Sequence, residues 1–279
     1  MEKFECSMCG KCCRELKGFK LSDERQKEIF LKERDDMIKN TPLYTFQKPE
    51  DEGMALYEWE VTRLKDIASA KGFDLKIKPR YGMLSNMGTV IVVTWMLDYD
   101  ICPFLENNKC SIYKNRPLIC QAFPFYKTIY DAIKTDKKLK SLEIGPLSCP
   151  KRIEMKELSG TTMMFGQWKK TMYEVYGETF IGSSKSDFIK VFDEELIEEL
   201  VRRGHIDLRK LDTQTFLRKY ENRSISMYQF AVRKNIISQK DVDDLPIEVE
   251  KFGDITRENA ISFDASKAPK DGSISNTNQ

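Results

Sequence analysis

Apolar positions divide the chain into a mixed first half and a helical second half. Across Leu21 to Asn40, Ile29, Phe30, Met37 and Ile38 form a partial apolar stripe; Ser22 is placed to cap the first turn, with Asp23 and Glu24 behind it. This predicts a surface helix. Thr41 to Gly53, punctuated by Pro42, Pro49 and Gly53, reads as loop. In Ala55 to Lys71, Leu56, Trp59, Val61, Leu64, Ile67 and Ala68 recur at near-helical spacing and Gly72 follows as a stop, which predicts a second helix. The period then shortens. Leu75 to Lys78 alternates and ends at Pro79, and Thr89 to Leu97 is an apolar run rich in β-branched residues, so both read as strands. Asp98 to Phe125, interrupted by prolines, suits neither a long helix nor a central strand and is expected to be an irregular loop. Tyr126 to Ile133 reads as one more strand. Thr135 to Lys140 reads as a turn whose lysines, with Lys134, make a solvated face.

From Lys151 onward the pattern is helical. Thr162 to Tyr176 ends at Gly177, and Ser186 to Arg203 carries Phe188, Val191, Phe192, Leu196, Ile197 and Leu200 on one side before Gly204. Shorter helices are expected at Thr213 to Asn222, Ile225 to Lys234 and Ser238 to Leu245, and no internal repeat is present. The sum is an α+β protein: a small sheet with irregular cysteine-bearing loops over 1–150, a helical region over 151–258, and a polar tail over 259–279 that is expected to be disordered.

Composition narrows the partners more than the chemistry. With 46 basic and 44 acidic residues the net charge is +2, which points to neither nucleic acid nor a membrane surface and leaves a protein partner open. The longest apolar run falls far short of the ~20 residues needed to cross a bilayer. The opening Met-Glu-Lys-Phe-Glu-Cys lacks the apolar core of an export signal, so a cytoplasmic location with reduced thiols is expected. One histidine, His205, gives imidazole chemistry little to work with; just after a helix-stopping glycine, it reads as a helix-end residue rather than a ligand.

The chemistry lies in the eight cysteines. Cys6, Cys9, Cys12 and Cys13 fall within eight residues, and Cys102, Cys110, Cys120 and Cys149 follow, all in the first 150 positions. Thiols two residues apart can turn their sulfurs toward one point, which favours a metal or cluster over a disulfide framework in a chain of this length. Cys6-x2-Cys9-x2-Cys12 matches the start of a bacterial iron–sulfur run, for which Cys102-Pro103 and Cys149-Pro150 could supply the Cys-Pro partner. Cys6-x-x-Cys9-Gly10 reads equally as a zinc knuckle. Adjacent side chains such as Cys12 and Cys13 are expected to diverge, so two sites sharing the run, or one polynuclear site, is the simpler geometry. Each cysteine group then needs the other to close a site, despite the long segment between them.

Cys-x-x-Cys-Gly-x-Cys-Cys at 6 to 13, Cys-Pro-Phe-Leu at 102 to 105, Cys-x-Ile-Tyr at 110 to 113 and Arg-Pro-x-x-Cys-x-x-Phe-Pro-Phe at 116 to 125 together resemble the YkgJ-type cysteine-cluster family. The resemblance covers roughly residues 1 to 150. It implies a zinc- or iron-chelating protein, often one with an iron–sulfur cluster. It carries Cys6, Cys9, Cys12, Cys13, Cys102, Cys110 and Cys120 over as metal-binding residues, with Arg116 and Pro117 matching beside them. Cys149 matches through its Cys-Pro context, and Gln121 stands where arginine is common. Arg116 could donate to a bound sulfur or simply cap a loop. Three functions follow: an iron–sulfur protein with a redox or accessory role, a structural zinc module for partner binding, or a protein-lysine methyltransferase similar to the flagellin lysine methylases. No Walker loop, no Gly-x-Gly-x-x-Gly and no Cys-x3-Cys-x2-Cys of radical enzymes is present, and whether the chain is an enzyme stays open.

Overall fold

β-Branched and aromatic residues in 90–97 build the strand around which the rest packs. The computed structural model describes residues 24–123 and 165–262, together with 4, 6, 9–14, 16 and 17. The proposed strand at 126–133, the lysine turn, the Ser22 cap and Cys149 lie outside the described residues. The helices and strands are α1 (Lys11–Arg14), α2 (Glu24–Asn40), β1 (Tyr44–Thr45), β2 (Ala55–Leu56), α3 (Glu58–Ala70), β3 (Ile77–Leu84), β4 (Val90–Leu97), β5 (Leu105–Glu106), β6 (Lys109–Cys110) and α4 (Leu118–Ala122). After the undescribed stretch come α5 (Phe165–Tyr176), α6 (Glu178–Arg202), α7 (Thr213–Asn222), β7 (Ser224–Ser226), α8 (Met227–Arg233) and α9 (Gln239–Ser262).

β3 and β4 form an antiparallel hairpin, with β1 on the free edge of β3. The other edge of β4 is shared: β2 pairs antiparallel at Trp95 and Met96, and β7 pairs parallel at Val90 to Val92. Neighbouring strand residues point to opposite faces, and both faces are covered. Met83 and Ile91 meet Ile189, Leu196, Leu200, Met227, Phe230 and Val249 from α6, α8 and α9. Leu84 and Val90 meet Tyr44 and Phe216, whose rings stack at 4.1 Å. Double coverage explains why β4 reads as a continuous apolar run. A third cluster, Leu16, Leu56, Val61, Leu64, Ala68, Leu97, Phe104 and Ile112, joins α3 to the end of β4 and the cysteine-bearing segment.

The α+β class stands, with several element boundaries changed. β3 runs on through Pro79 to Leu84. Pro79 pairs with Trp95 beside a register irregularity, and β1 pairs only with Tyr81 and Gly82, so the missing amide breaks no ladder with β1. Ala55 and Leu56 are strand, and the helix begins at Glu58. Ser224 to Ser226 is likewise strand, ahead of a shorter helix, and the loop at 41–53 contains β1. The last helix continues past Pro246 to Ser262, taking in four positions assigned to the tail. An interior proline costs about 3 kcal/mol. Leu245, Val249, Gly253, Thr256 and Ala260 are all buried along one side of α9, and their packing outweighs that cost.

A buried ion network anchors the segment leading into β2. Glu52, fully buried, accepts from Arg34 Nε at 2.7 Å, pairs with Arg80 Nη2 at 2.6 Å, and accepts from the Tyr81 hydroxyl. Arg34 also donates to Thr45 Oγ1 and to the Gln47 carbonyl, which ties α2 to the sheet.

Candidate metal centre

The N-terminal cysteine run folds onto the second cysteine segment through its backbone. The Cys102 amide donates to the Cys13 carbonyl at 2.7 Å and the Leu16 amide to the Asp100 carbonyl at 3.0 Å, while Lys17 pairs with Asp98 at 2.7 Å. Cys13 closes a turn by donating to the Gly10 carbonyl at 3.1 Å. Gly10 has φ +72°, and a Cβ there would stand 2.8 Å from the Asn108 carbonyl oxygen, so only glycine lets the run lie against the β5–β6 hairpin. That hairpin turns through Asn107 and Asn108, both at positive φ, a conformation asparagine tolerates. Within the expected irregular loop over 98–125, the described residues 98–123 contain a chain of short elements: this hairpin, a 3-10 turn at Tyr113–Asn115, and α4.

Cys120 rides on α4, which is fixed from two sides. Glu60, fully buried on α3, accepts from the Leu118 amide at 2.7 Å and from the Tyr57 amide at 3.1 Å. Burial pushes the Glu60 carboxyl up to about 7, against the pull of those two amides and of Arg63. From the opposite side α6 presents Gly182, where a Cβ would meet the Gln121 backbone at 2.6 Å. Gln121 itself donates to the Arg116 carbonyl at 2.9 Å, a neutral contact at the position where arginine is common. Replacing Gly182 by Ala forces α4 away from α6. We expect the variant to lose about 1–3 kcal/mol in urea unfolding and to retain less metal than the parent protein.

The two cysteine groups meet in one neighbourhood. The Sγ atoms of Cys12 and Cys13 lie 4.0 Å apart, so the expected divergence of this pair does not occur: within the α1 turn the two side chains converge. The hydrogen bond with Cys13 raises the Cys12 thiol first, burial second, with Cys9 adding to the repulsion. Cys13 is pushed up to about 12, chiefly by its hydrogen bond with Cys102, partly offset by Cys12 and reinforced by burial and by Cys110. Burial raises Cys110, while the Ile112 amide and Arg116 pull it down and Cys12 and Cys6 add repulsion. Burial likewise raises Cys120, which also feels Cys12 and Cys13. All seven described cysteines are therefore linked by shared neighbours, with Cys6 and Cys9 at the exposed side and no disulfide among them. Among the described residues no three Cys, His, Asp or Glu side chains stand at ligating geometry.

Arg116 is held over the Tyr113 ring at 4.2 Å, and its charge favours the thiolates of Cys110 and Cys120. The ring contact fits the loop-fixing reading, and its effect on the thiols is one of charge. His205 lies at the far tip of the β3–β4 hairpin, its carbonyl accepting from the Asn86 amide, away from the cysteines that follow β4. Sequence reasoning missed Glu60 and Gly182, which hold α4, the Glu60 charge also adding to the repulsion at Cys120. It also missed Met54, whose Sδ lies 3.9 Å from Cys120 Sγ.

The thiols fit a thiophilic metal by donor chemistry: sulfur from two chain segments, sheltered on one side by Leu16, Phe104 and Ile112, with a cation beside them. No helix among the described residues is long and apolar enough to cross a membrane. Neither a curated relative nor a solved structure matches the chain. A family model described as "Putative zinc- or iron-chelating domain" matches residues 5–150, more than half of the 279, and spans both cysteine groups. The chain belongs to this CxxCxxCC family of zinc- or iron-chelating domains.

Proposed function

We propose that this protein holds iron–sulfur, in one polynuclear site or two abutting sites, with Cys6, Cys9, Cys12, Cys13, Cys102, Cys110, Cys120 and Cys149 as the candidate ligands, and that it serves as a redox or accessory component. One observation carries the reading: the N-terminal cysteine run lies against the second cysteine segment, with the Cys102 amide donating to the Cys13 carbonyl at 2.7 Å and the Cys12 and Cys13 sulfurs 4.0 Å apart. A structural zinc ion and an iron–sulfur cluster each take four protein ligands, so this many sulfurs suits two abutting centres, and the Cys6-x2-Cys9-x2-Cys12 run with its Cys-Pro partners favours iron–sulfur over zinc. Such a cluster supplies one-electron transfer when bound. The chain's own part is to bring the sulfurs together through α1, β6 and α4, and to set Arg116 where its charge offsets that of the thiolates. Leu16, Phe104 and Ile112 keep water from one flank.

Protein purified without oxygen should be brown, with iron and acid-labile sulfide in comparable amounts. Colourless protein containing zinc and no sulfide would overturn the cluster and leave the structural zinc module in its place.

A further inference from the structure

We infer that Met54 is a further sulfur of this centre, its thioether sharing a metal ion with the Cys120 thiolate. The inference rests on the metal-binding reading of the cysteines above and goes beyond it in naming a ligand of a different chemical class. Met54 Sδ stands 3.9 Å from Cys120 Sγ. Two ligands of one tetrahedral ion bound at ~2.3 Å lie about 3.8 Å apart. The Cys12 and Cys13 sulfurs, at 4.0 Å, span a similar edge.

Both sulfurs stand on fixed backbone, which is what a ligand pair requires. On the methionine side, Glu52 is locked between Arg34 and Arg80. The Gly53 amide donates to Met96 Sδ at 3.4 Å, and Ala55 pairs with Met96 in the sheet. On the cysteine side, α4 is held by Glu60 and by its close approach to Gly182. Met54 also packs against the apolar cluster that Cys102 and Cys110 border, so its side chain reaches the thiol neighbourhood rather than the sheet interior.

A thioether binds without losing a proton and adds no negative charge. Its softness favours Cu(I) and iron in sulfur surroundings and does little for harder ions. Met54 is therefore a residue that biases which metal the thiols select.

The test uses full-length protein handled without oxygen, with Cu(I) and Zn(II) as probes. By chelator competition, Met54→Leu, which keeps the bulk and removes the sulfur, should bind Cu(I) at least about tenfold more weakly and Zn(II) within about twofold of the parent. Selenomethionine-labelled parent protein loaded with Cu(I) should show a copper–selenium path in X-ray absorption, absent from labelled Met54→Leu. Labelling leaves the chain unmutated, so this second readout does not depend on how well the variant folds. Absence of that path in the parent, with Cu(I) bound, overturns the inference and makes Met54 a packing residue, while the cysteine reading survives. A parent protein that takes up neither metal overturns the inference, whereas the iron–sulfur reading stands or falls separately on the iron and acid-labile sulfide found in the protein as purified.

Discussion

Cys120→Ser protein should emerge from oxygen-free purification with at most about half of the parent's metal, and should be cut faster by proteases in the 98–123 segment. Serine nearly preserves the volume, and the Cys120 amide keeps its bond to the Pro117 carbonyl, so the short α4 can still form. Two costs then compete. Placing a hydroxyl where the thiol stood costs about 1–3 kcal/mol, whereas metal–thiolate binding is worth on the order of 10 kcal/mol in structural sites. Loss of the ligand dominates. Cys6→Ser separates the two, because Cys6 is exposed and its replacement carries little burial cost. Both variants should lose metal by elemental analysis, but only Cys120→Ser should also unfold at lower urea when a chelator is present. Parent-like metal content in Cys120→Ser would make that thiol a buried bystander.

The sequence marked the chemistry more clearly than the elements that hold it. Cysteine spacing and Cys-Pro context singled out the thiols as candidate ligands, because residue type alone signals sulfur ligation. What aims them is spread over residues with no such signature. Glu60 reads as an ordinary first-turn glutamate of a helix and becomes a positioning residue only when the Leu118 amide arrives from elsewhere in the chain. Gly182 lies inside α6, where glycine looks like a defect until the Gln121 backbone is seen against it. The turn at Asn107 and Asn108 was the one local signal that could have been used, since two residues tolerant of positive φ between Leu105 and Cys110 suggest a tight hairpin.

The misplaced boundaries share a cause. Ala55–Leu56 and Ser224–Ser226 are strands only because β4 offers an open edge to both, and neither stretch has enough residues to show its own period. The alternation that predicts a strand ends at Pro79, and the last expected helix ends at Leu245, just before Pro246. At Pro79 the pairing with β1 is already over, and at Pro246 the buried side of α9 continues for several turns. Local rules gave way where tertiary burial was larger. Cys12 and Cys13 belong with these cases, since rotamers inside one helical turn, and not backbone direction alone, decide where adjacent sulfurs meet.

Metal-free, the protein should lose stability as pH rises from about 4.5 to 7.5, and Asp193→Asn should remove much of that loss. Asp193 on α6 is buried and accepts from the Tyr228 hydroxyl at 2.8 Å. Burial raises its carboxyl to about 8, only partly countered by the tyrosine. An unfolded aspartate ionises near pH 4, so between the two values the unfolded chain has given up a proton that the folded chain keeps. Unfolding then releases a proton, and stability falls by up to about 1.4 kcal/mol per pH unit for the group, reaching about 4 kcal/mol across the window. Glu60, raised to about 7, acts with the same sign and adds about 3 kcal/mol. The carboxylates at Asp98, Glu199 and Asp207 are held below their usual values by Lys17, by Arg202 and Arg203, and by Arg209. Their contribution has the opposite sign and is lost only as pH falls below about 4, outside the window. Asparagine can still accept from Tyr228 and cannot ionise. Urea midpoints of parent and Asp193→Asn protein, both metal-free and measured at pH 4.5 and 7.5, should therefore differ most at pH 7.5, with the variant the more stable. Equal slopes with pH in the two proteins would show that Asp193 is already ionised in the fold, and would locate the buried proton elsewhere.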